Sequence, residues 1–178
     1  MRLFRKYHLV TLLEGVNVED VLRVCGILDA NSFRIDKNGT RGLFLATSML
    51  NHDCLPNARI LFNHSGEAIV KAKKAIAKGE AITITYCTLL SNTMTRMTKL
   101  KKSKFFTCQC RLCNDPTENG TNMSALICPK CKTGHLLPKS FHDPNPSWHC
   151  DNCPFCTTDD KVQQLLKAVK QNHVGIVE

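Results

Sequence analysis

No run in this 178-residue sequence approaches the roughly 20 apolar residues that a bilayer-spanning helix needs, so no membrane is expected as a partner. No secretory signal is evident either. The start, MRLFRKYHLVTLLEGV, is basic and then briefly apolar, but Thr11 breaks the apolar patch, Glu14 ends it and no small-residue cleavage site follows. It reads as folded structure. Internal repeats and low-complexity tracts are absent, which argues against a solenoid or a compositional tail. The basic run Arg96 to Lys104, RMTKLKKSK, has no interleaved aromatics and no known nucleic-acid signature. It reads as a solvated basic face, and direct nucleic-acid binding is not expected.

What is present is a core and an excess of cysteine. Apolar residues make up 43%, enough for one ordinary domain or two small ones. Eleven cysteines are an odd number, which does not suit a fully paired disulfide framework. Clustered cysteines in a reducing compartment point to metal, and an intracellular chain, in nucleus, cytoplasm or both, is expected. The formal charge of +9 counts every cysteine as neutral. Zinc binds thiolates, so metal sites would cancel part of that basicity.

Periodicity places the elements. Residues 17–29, NVEDVLRVCGILD, predict a short helix. Asn17 can cap it, Glu19 and Asp20 suit its first turn, and Val18, Val21, Leu22 and Cys25 recur at helical spacing. Gly26 weakens or ends it. Residues 58–64 and 68–73 predict strands around the turn Ser65-Gly66-Glu67, and a turn at Ala77-Lys78-Gly79-Glu80 leads into a strand at 81–86, AITITY. Residues 89–107 are basic and helical in part, and NDPTENGTNMS, 114–124, is a polar linker. In KVQQLLKAVKQ, Val162, Leu165, Leu166 and Val169 fall on one face of an amphipathic helix about three turns long, with little to pack on.

Two cysteine patterns carry metal chemistry. Cys128-x2-Cys131 and Cys150-x2-Cys153 are paired knuckles at zinc-ribbon spacing. Each knuckle brings two thiolates to one ion beside backbone N–H groups, and two knuckles complete a tetrahedral shell. Cys156 extends a C-x2-C-x2-C run and is an alternative to Cys153, with His135 and His149 as substitute ligands. The fourth cysteine of an iron–sulfur run is missing. Cys108-x-Cys110-x2-Cys113 supplies three thiolates and needs a fourth from Cys54, Cys87 or Cys25.

The stretch SMLNHDCLPN, Ser48 to Asn57, sets His52, Asp53 and Cys54 side by side, as a nucleophile site or a metal site would use them. Triad members are neighbours in space and seldom in sequence, which disfavours the nucleophile.

GLFLATSMLNHDCLPNA, Gly42 to Ala58, closely resembles the C-terminal core of a SET domain of the SMYD kind. That family's N-H-S-C-x-P-N reads N-H-D-C-L-P-N here. AIAKGEAITITY, Ala75 to Tyr86, is similar to the family's I-x-x-G-E-E-I strand ending in Tyr, and KKSKFFTCQCRLC, Lys101 to Cys113, to its post-SET motif. The resemblance covers roughly residues 10–115, and the ribbon at 128–153 resembles an insertion in arthropod-type members. It implies an α+β fold: a partial SET β-fold with a post-SET zinc site, a small four-cysteine ribbon and a C-terminal helix. The divisions expected are a helical SET insertion remnant (1–35), the C-terminal SET core (36–88), the post-SET zinc motif (89–114), the ribbon (120–157) and the start of a helical region (158–178).

The function implied is protein-lysine N-methyl transfer from S-adenosylmethionine to a lysine of a protein substrate. Asn51 and His52 would line the cofactor pocket where the chain threads the SET pseudoknot, with Asn51 near the methionine moiety. Phe106 would pack on adenine and Tyr86 would stand beside the methyl-transfer channel. Cys54 would join Cys108, Cys110 and Cys113 on one zinc, and Cys128, Cys131, Cys150 and Cys153 would hold the other. Asp53 stands where the family has Ser and is expected to face solvent. Lys104 stands where many members have Tyr. The cofactor-binding G-x-G turn, the MYND finger and the N-terminal SET strands are missing, so a C-terminal SET and post-SET fragment is expected. The alternative expectation is a catalytically inactive zinc-binding module that engages a protein partner.

Overall fold

The structure, a computed structural model, describes residues 17–88 and 90–173. The folded start expected before residue 17 lies outside them. The chain divides into two compact units, the described residues of Met1–Asn51 with Pro56–Ile84, and those of His52–Leu55 with Thr85–Glu178.

The first unit opens with α1 (Val18–Asn31), whose N-terminus is a capping box. The Asn17 side chain accepts from the Asp20 N–H at 2.9 Å, and the Asp20 carboxylate accepts from the Asn17 N–H at 3.4 Å. The helix runs through Gly26 to Asn31, past the expected end. One interior glycine costs only about 1 kcal/mol, which a capped helix tolerates. Strands β1 (Phe33–Arg34) and β2 (Arg41–Gly42) pair antiparallel. Their turn is held by Asp36, which accepts from the Thr40 N–H at 2.9 Å and its hydroxyl at 2.6 Å. After α2 (Leu45–Ser48), β3 (Asn51–His52) carries the chain from one unit to the other.

Strands β4 (Ala58–Phe62) and β5 (Ala68–Ala72) form the expected hairpin, in register from Ala58↔Ala72 to Phe62↔Ala68. Phe33, Phe44 and Phe62 cluster with ring centres 5.3–6.3 Å apart. The strand expected over 81–86 shrinks to β6 (Thr83–Ile84). Buried Asn57 is the reason. Its side chain donates to the Ala81 carbonyl at 2.9 Å and accepts from the Thr83 N–H at 2.8 Å, so a side chain takes backbone groups that a ladder would use.

In the second unit, Asn92 caps α3 (Thr93–Ser103) by accepting from the Thr95 N–H at 2.9 Å. The basic run here is not a uniform solvated face. Lys99, Lys101 and Lys102 are exposed, but Arg96 is buried and paired with Glu118. The expected polar linker is likewise fixed. Asp115 accepts from the N–H groups of Thr117 and Asn119 at 2.9 and 2.7 Å, and Glu118 is buried. Between them lies α4 (Arg111–Asn114).

The ribbon is an antiparallel sheet of β7 (Leu126–Ile127), β8 (His135–Pro138), β9 (Trp148–Cys150) and β10 (Cys156–Thr157), in the order β10-β9-β8-β7. The closing helix α5 (Asp159–His173) does find a surface, contrary to expectation. Val162 is fully buried against Leu136 and Trp148, with Met94, Leu126, Phe155 and Leu166 around them. The Trp148 indole N–H donates to Asp159 at 2.9 Å and ties the helix start to the sheet. Helices and short antiparallel strands make this an α+β fold. Among the described residues, no helix is long and apolar enough to cross a membrane.

Candidate metal centres and the adjoining site

Turns at the ends of the ribbon strands bring Cys128, Cys131, Cys150 and Cys153 together, with all four sulfurs within 4.8 Å of one another. Backbone groups face the sulfurs: the Gly134 N–H donates to Cys131 Sγ at 3.2 Å and the Asn152 N–H to Cys150 Sγ at 3.4 Å. The N–H groups of Thr133 and then Gly134 hold the Cys131 thiol down to about 5, whereas desolvation pushes Cys150 up to about 12. Crowded sulfurs cannot all ionise without a cation between them. Gly134 is required here, because a Cβ on it would sit 2.5 Å from Cys150 Sγ. The alternatives from spacing are placed elsewhere. Cys156 is exposed on β10, opposite His149 in the register. His135 pairs with Asp151 at 3.1 Å and His149 with the Ser147 hydroxyl at 3.0 Å.

The second group joins Cys54 to Cys108, Cys110 and Cys113, again within 4.8 Å. The first turn of α4 presents Cys113 above Cys110, whose carbonyl accepts from the Cys113 N–H at 3.1 Å. Cys54 Sγ lies 3.6 Å from Cys113 Sγ and 4.0 Å from Cys108 Sγ. Cys87 is buried in the same core, but its thiol donates to the Arg96 carbonyl at 3.9 Å, and Cys25 lies on α1 in the other unit. Hydrogen bonding from its neighbours lowers Cys110 far below an ordinary thiol, with Cys113 the main donor, and its contact in turn raises Cys113 and Cys54, the latter to about 12. Two closed sets of four soft sulfur donors fit structural Zn²⁺ and leave no open position for a reacting water.

Arg96 and Glu118 were not singled out by sequence reasoning. Their charged atoms lie 3.7 Å apart, with 4% and 1% of the side chains exposed. Glu118 accepts from the N–H groups of Thr93 and Ser124, both at 2.5 Å. Arg96 donates to the Ser91 carbonyl and the Thr93 hydroxyl. Burial opposes its charge, but the sulfurs of Cys54 and Cys113 outweigh that and raise its pKa. Arg96 therefore supplies positive charge beside an electron-rich sulfur cluster.

Beside this cluster lie three residues of the expected site. The Tyr86 N–H donates to His52 Nδ1 at 3.0 Å, and His52 Nε2 lies 3.3 Å from Cys54 Sγ. The His52 ring centre is 5.2 Å from that of Tyr86 and 6.0 Å from that of Phe106. Burial chiefly lowers the His52 pKa, against the opposing pull of Cys110 and Asp53, and so disfavours the imidazolium. Burial raises the Tyr86 pKa and keeps its phenol protonated. Phe106 is 36% exposed. Asn51 is exposed and belongs to the other unit. Lys104 Nζ stands 5.2 Å from the Tyr86 ring centre.

A His–Cys distance of 3.3 Å is also dyad spacing. Yet Cys54 is only 6% exposed and its thiol is raised to about 12, the reverse of an activated nucleophile. Asp53 does not orient the ring. It is half-buried and accepts from the Leu55 N–H at 2.7 Å in an exposed local turn.

A family model for the SET domain matches residues 11–87. Over 148 residues the chain is 38% identical to the SET domain-containing protein SmydA-8, isoform A, of Drosophila melanogaster, covering 79% of this chain and 32% of that protein. The chain is a SMYD-type SET-domain protein. This SMYD-type chain is also 33% identical over 137 residues to the histone-lysine N-methyltransferase ASHR1 of Arabidopsis thaliana, covering 72% of the chain and 27% of that protein. It is 27% identical over 131 residues to the histone-lysine N-methyltransferase Smyd1 of Mus musculus, covering 64% and 27%. The chain thus spans a third or less of the length of these relatives.

Proposed function

We propose that this chain forms the C-terminal SET and post-SET part of a protein-lysine N-methyltransferase that uses S-adenosylmethionine. The observation that carries the reading is the set of His52, Tyr86 and Phe106 packed beside a closed four-cysteine group in a SET-domain chain. Similarity to proteins named as histone-lysine methyltransferases supports the reaction class. Asn51, His52 and Phe106 would hold the cofactor. Phe106 is partly exposed beside His52, and an aromatic side chain there would stack on an adenine ring.

S-adenosylmethionine, when bound, supplies a methyl group on a sulfonium. This chain's residues orient the acceptor. Tyr86 stays protonated, so its hydroxyl can donate to or accept from a lysine amine and align it. A half-buried setting favours the neutral amine over the ammonium. Both cysteine groups are structural in this scheme, Cys54, Cys108, Cys110 and Cys113 fixing the post-SET segment and Cys128, Cys131, Cys150 and Cys153 the ribbon.

The test is methyl transfer from labelled S-adenosylmethionine to a lysine-rich protein mixture such as histones. Tyr86→Phe should lower the rate on the order of 10²-fold, as loss of a positioned proton-handling group does, with cofactor binding retained. An unchanged rate would remove Tyr86 from the mechanism.

One observation favours a second reading. The Lys104 ammonium lies over the Tyr86 ring, where a cation opposes an incoming lysine. A non-catalytic zinc-binding module would capture its protein partner equally well with Tyr86→Phe, and loss of capture in that variant would count against it.

A further inference from the structure

The two hydrogen bonds of His52 point in different directions, and their chemistry is fixed by their partners. The contact is made by the Tyr86 backbone nitrogen, whose N–H can only donate, so His52 Nδ1 is the acceptor at 3.0 Å. A neutral ring then carries its proton on Nε2, which lies 3.3 Å from Cys54 Sγ. The opposite tautomer would set two N–H groups against each other at Tyr86. Cys54 is a member of the four-cysteine group and is buried, as is the core on which Tyr86 packs. A metal-bound thiolate is a good acceptor for such an N–H, and outer hydrogen bonds of this kind orient the ligands of a metal site.

We propose that His52 is a positioning residue that bridges the Cys54 metal group to the Tyr86 backbone, so that metal at this group sets the placement of Tyr86. The bridge has one link on each ring nitrogen and spans residues that the chain separates by more than 30 positions. It gives the His-x-Cys spacing a reason. A residue two positions before the ligand reaches the ligand's sulfur with one nitrogen while the other faces a different strand end. It also occupies both nitrogens, so the ring is not a general base. The catalytic meaning of Tyr86 rests on the proposed function, but the bridge itself does not.

The test is nuclear magnetic resonance on the full 178-residue chain labelled with ¹⁵N, loaded once with zinc and once with ¹¹³Cd. The expected result is the Nε2–H tautomer for His52, with a scalar coupling from its ring proton to ¹¹³Cd. His52→Phe should shift the Tyr86 amide resonance upfield as its hydrogen bond is lost, with the Trp148 indole signal unmoved as the control for folding. Cys54→Ser should move the same amide with the His52 ring intact. An Nδ1–H tautomer, absence of coupling to ¹¹³Cd, or a Tyr86 amide that ignores both variants would overturn the bridge. None of these readouts needs S-adenosylmethionine, so failure of methyl transfer and failure of the bridge are separate results.

Discussion

At Cys54 the neighbours decide the chemistry. The same side chain beside His52 would be a nucleophile in an open, cationic setting, but here three further sulfurs surround it and its thiol is raised. Cys54→Ser should lower bound zinc from about two per chain to about one, one ion per closed four-ligand shell, while Cys87→Ser leaves it at about two. Elemental analysis of the purified variants checks both. The short-range patterns were legible in the sequence because ligand pairs at C-x2-C spacing are local, and the resemblance, not the spacing, selected Cys54 over Cys87. The Arg96–Glu118 pair was not legible. Both residues sit in segments whose composition is that of solvated surface, and only tertiary packing buries them. Glu118→Ala should cost about 3–5 kcal/mol in unfolding free energy, because it strands a buried guanidinium. Chemical denaturation followed by Trp148 fluorescence measures it, and a cost under about 1 kcal/mol would show the pair to be dispensable.

Helix α1 was read correctly from its cap and first turn, since those signals are carried by adjacent residues. Alternation and β-branching over 81–86 predict a longer strand than forms, because they cannot reveal that Asn57 competes for its backbone. The period of α5 is legible in its own residues, but its packing surface is not. That surface is built from Leu136 and Trp148, which lie between the two cysteine knuckles and carry no periodic signal that links them to α5. Leu136→Ala should therefore destabilise the ribbon by about 2–5 kcal/mol, as buried Leu truncations do. Leu165→Ala, on the exposed side of α5, should stay within about 0.5 kcal/mol. Thermal melts of the two variants side by side decide this, and equal losses would contradict the packing. At the turn before β8, Gly134→Ala should drive the ribbon's cysteines apart and release that zinc first on titration with a chelator, since the new Cβ has Cys150 Sγ at 2.5 Å.

For the whole molecule, small cores leave much of the stability to the metal. The second unit holds two separate clusters of buried residues, each beside a four-cysteine group. Chain segments this short rarely fold on apolar burial alone, and zinc binding adds its own free energy to folding. The α+β class and the family were legible in the sequence, because three motifs in order specify a SET domain more tightly than composition specifies any fold. The proposed function requires that this chain bind S-adenosylmethionine, with His52 and Phe106 at the site. It is tested most directly by titrating S-adenosylmethionine into the zinc-loaded 178-residue protein in a calorimeter. Binding is expected in the micromolar range, and Phe106→Ala should weaken it by about tenfold or more, the loss of one stacked aromatic contact. Absence of heat from a sample that holds both zinc ions and shows a native Trp148 spectrum would contradict it and leave the zinc-binding module as the function.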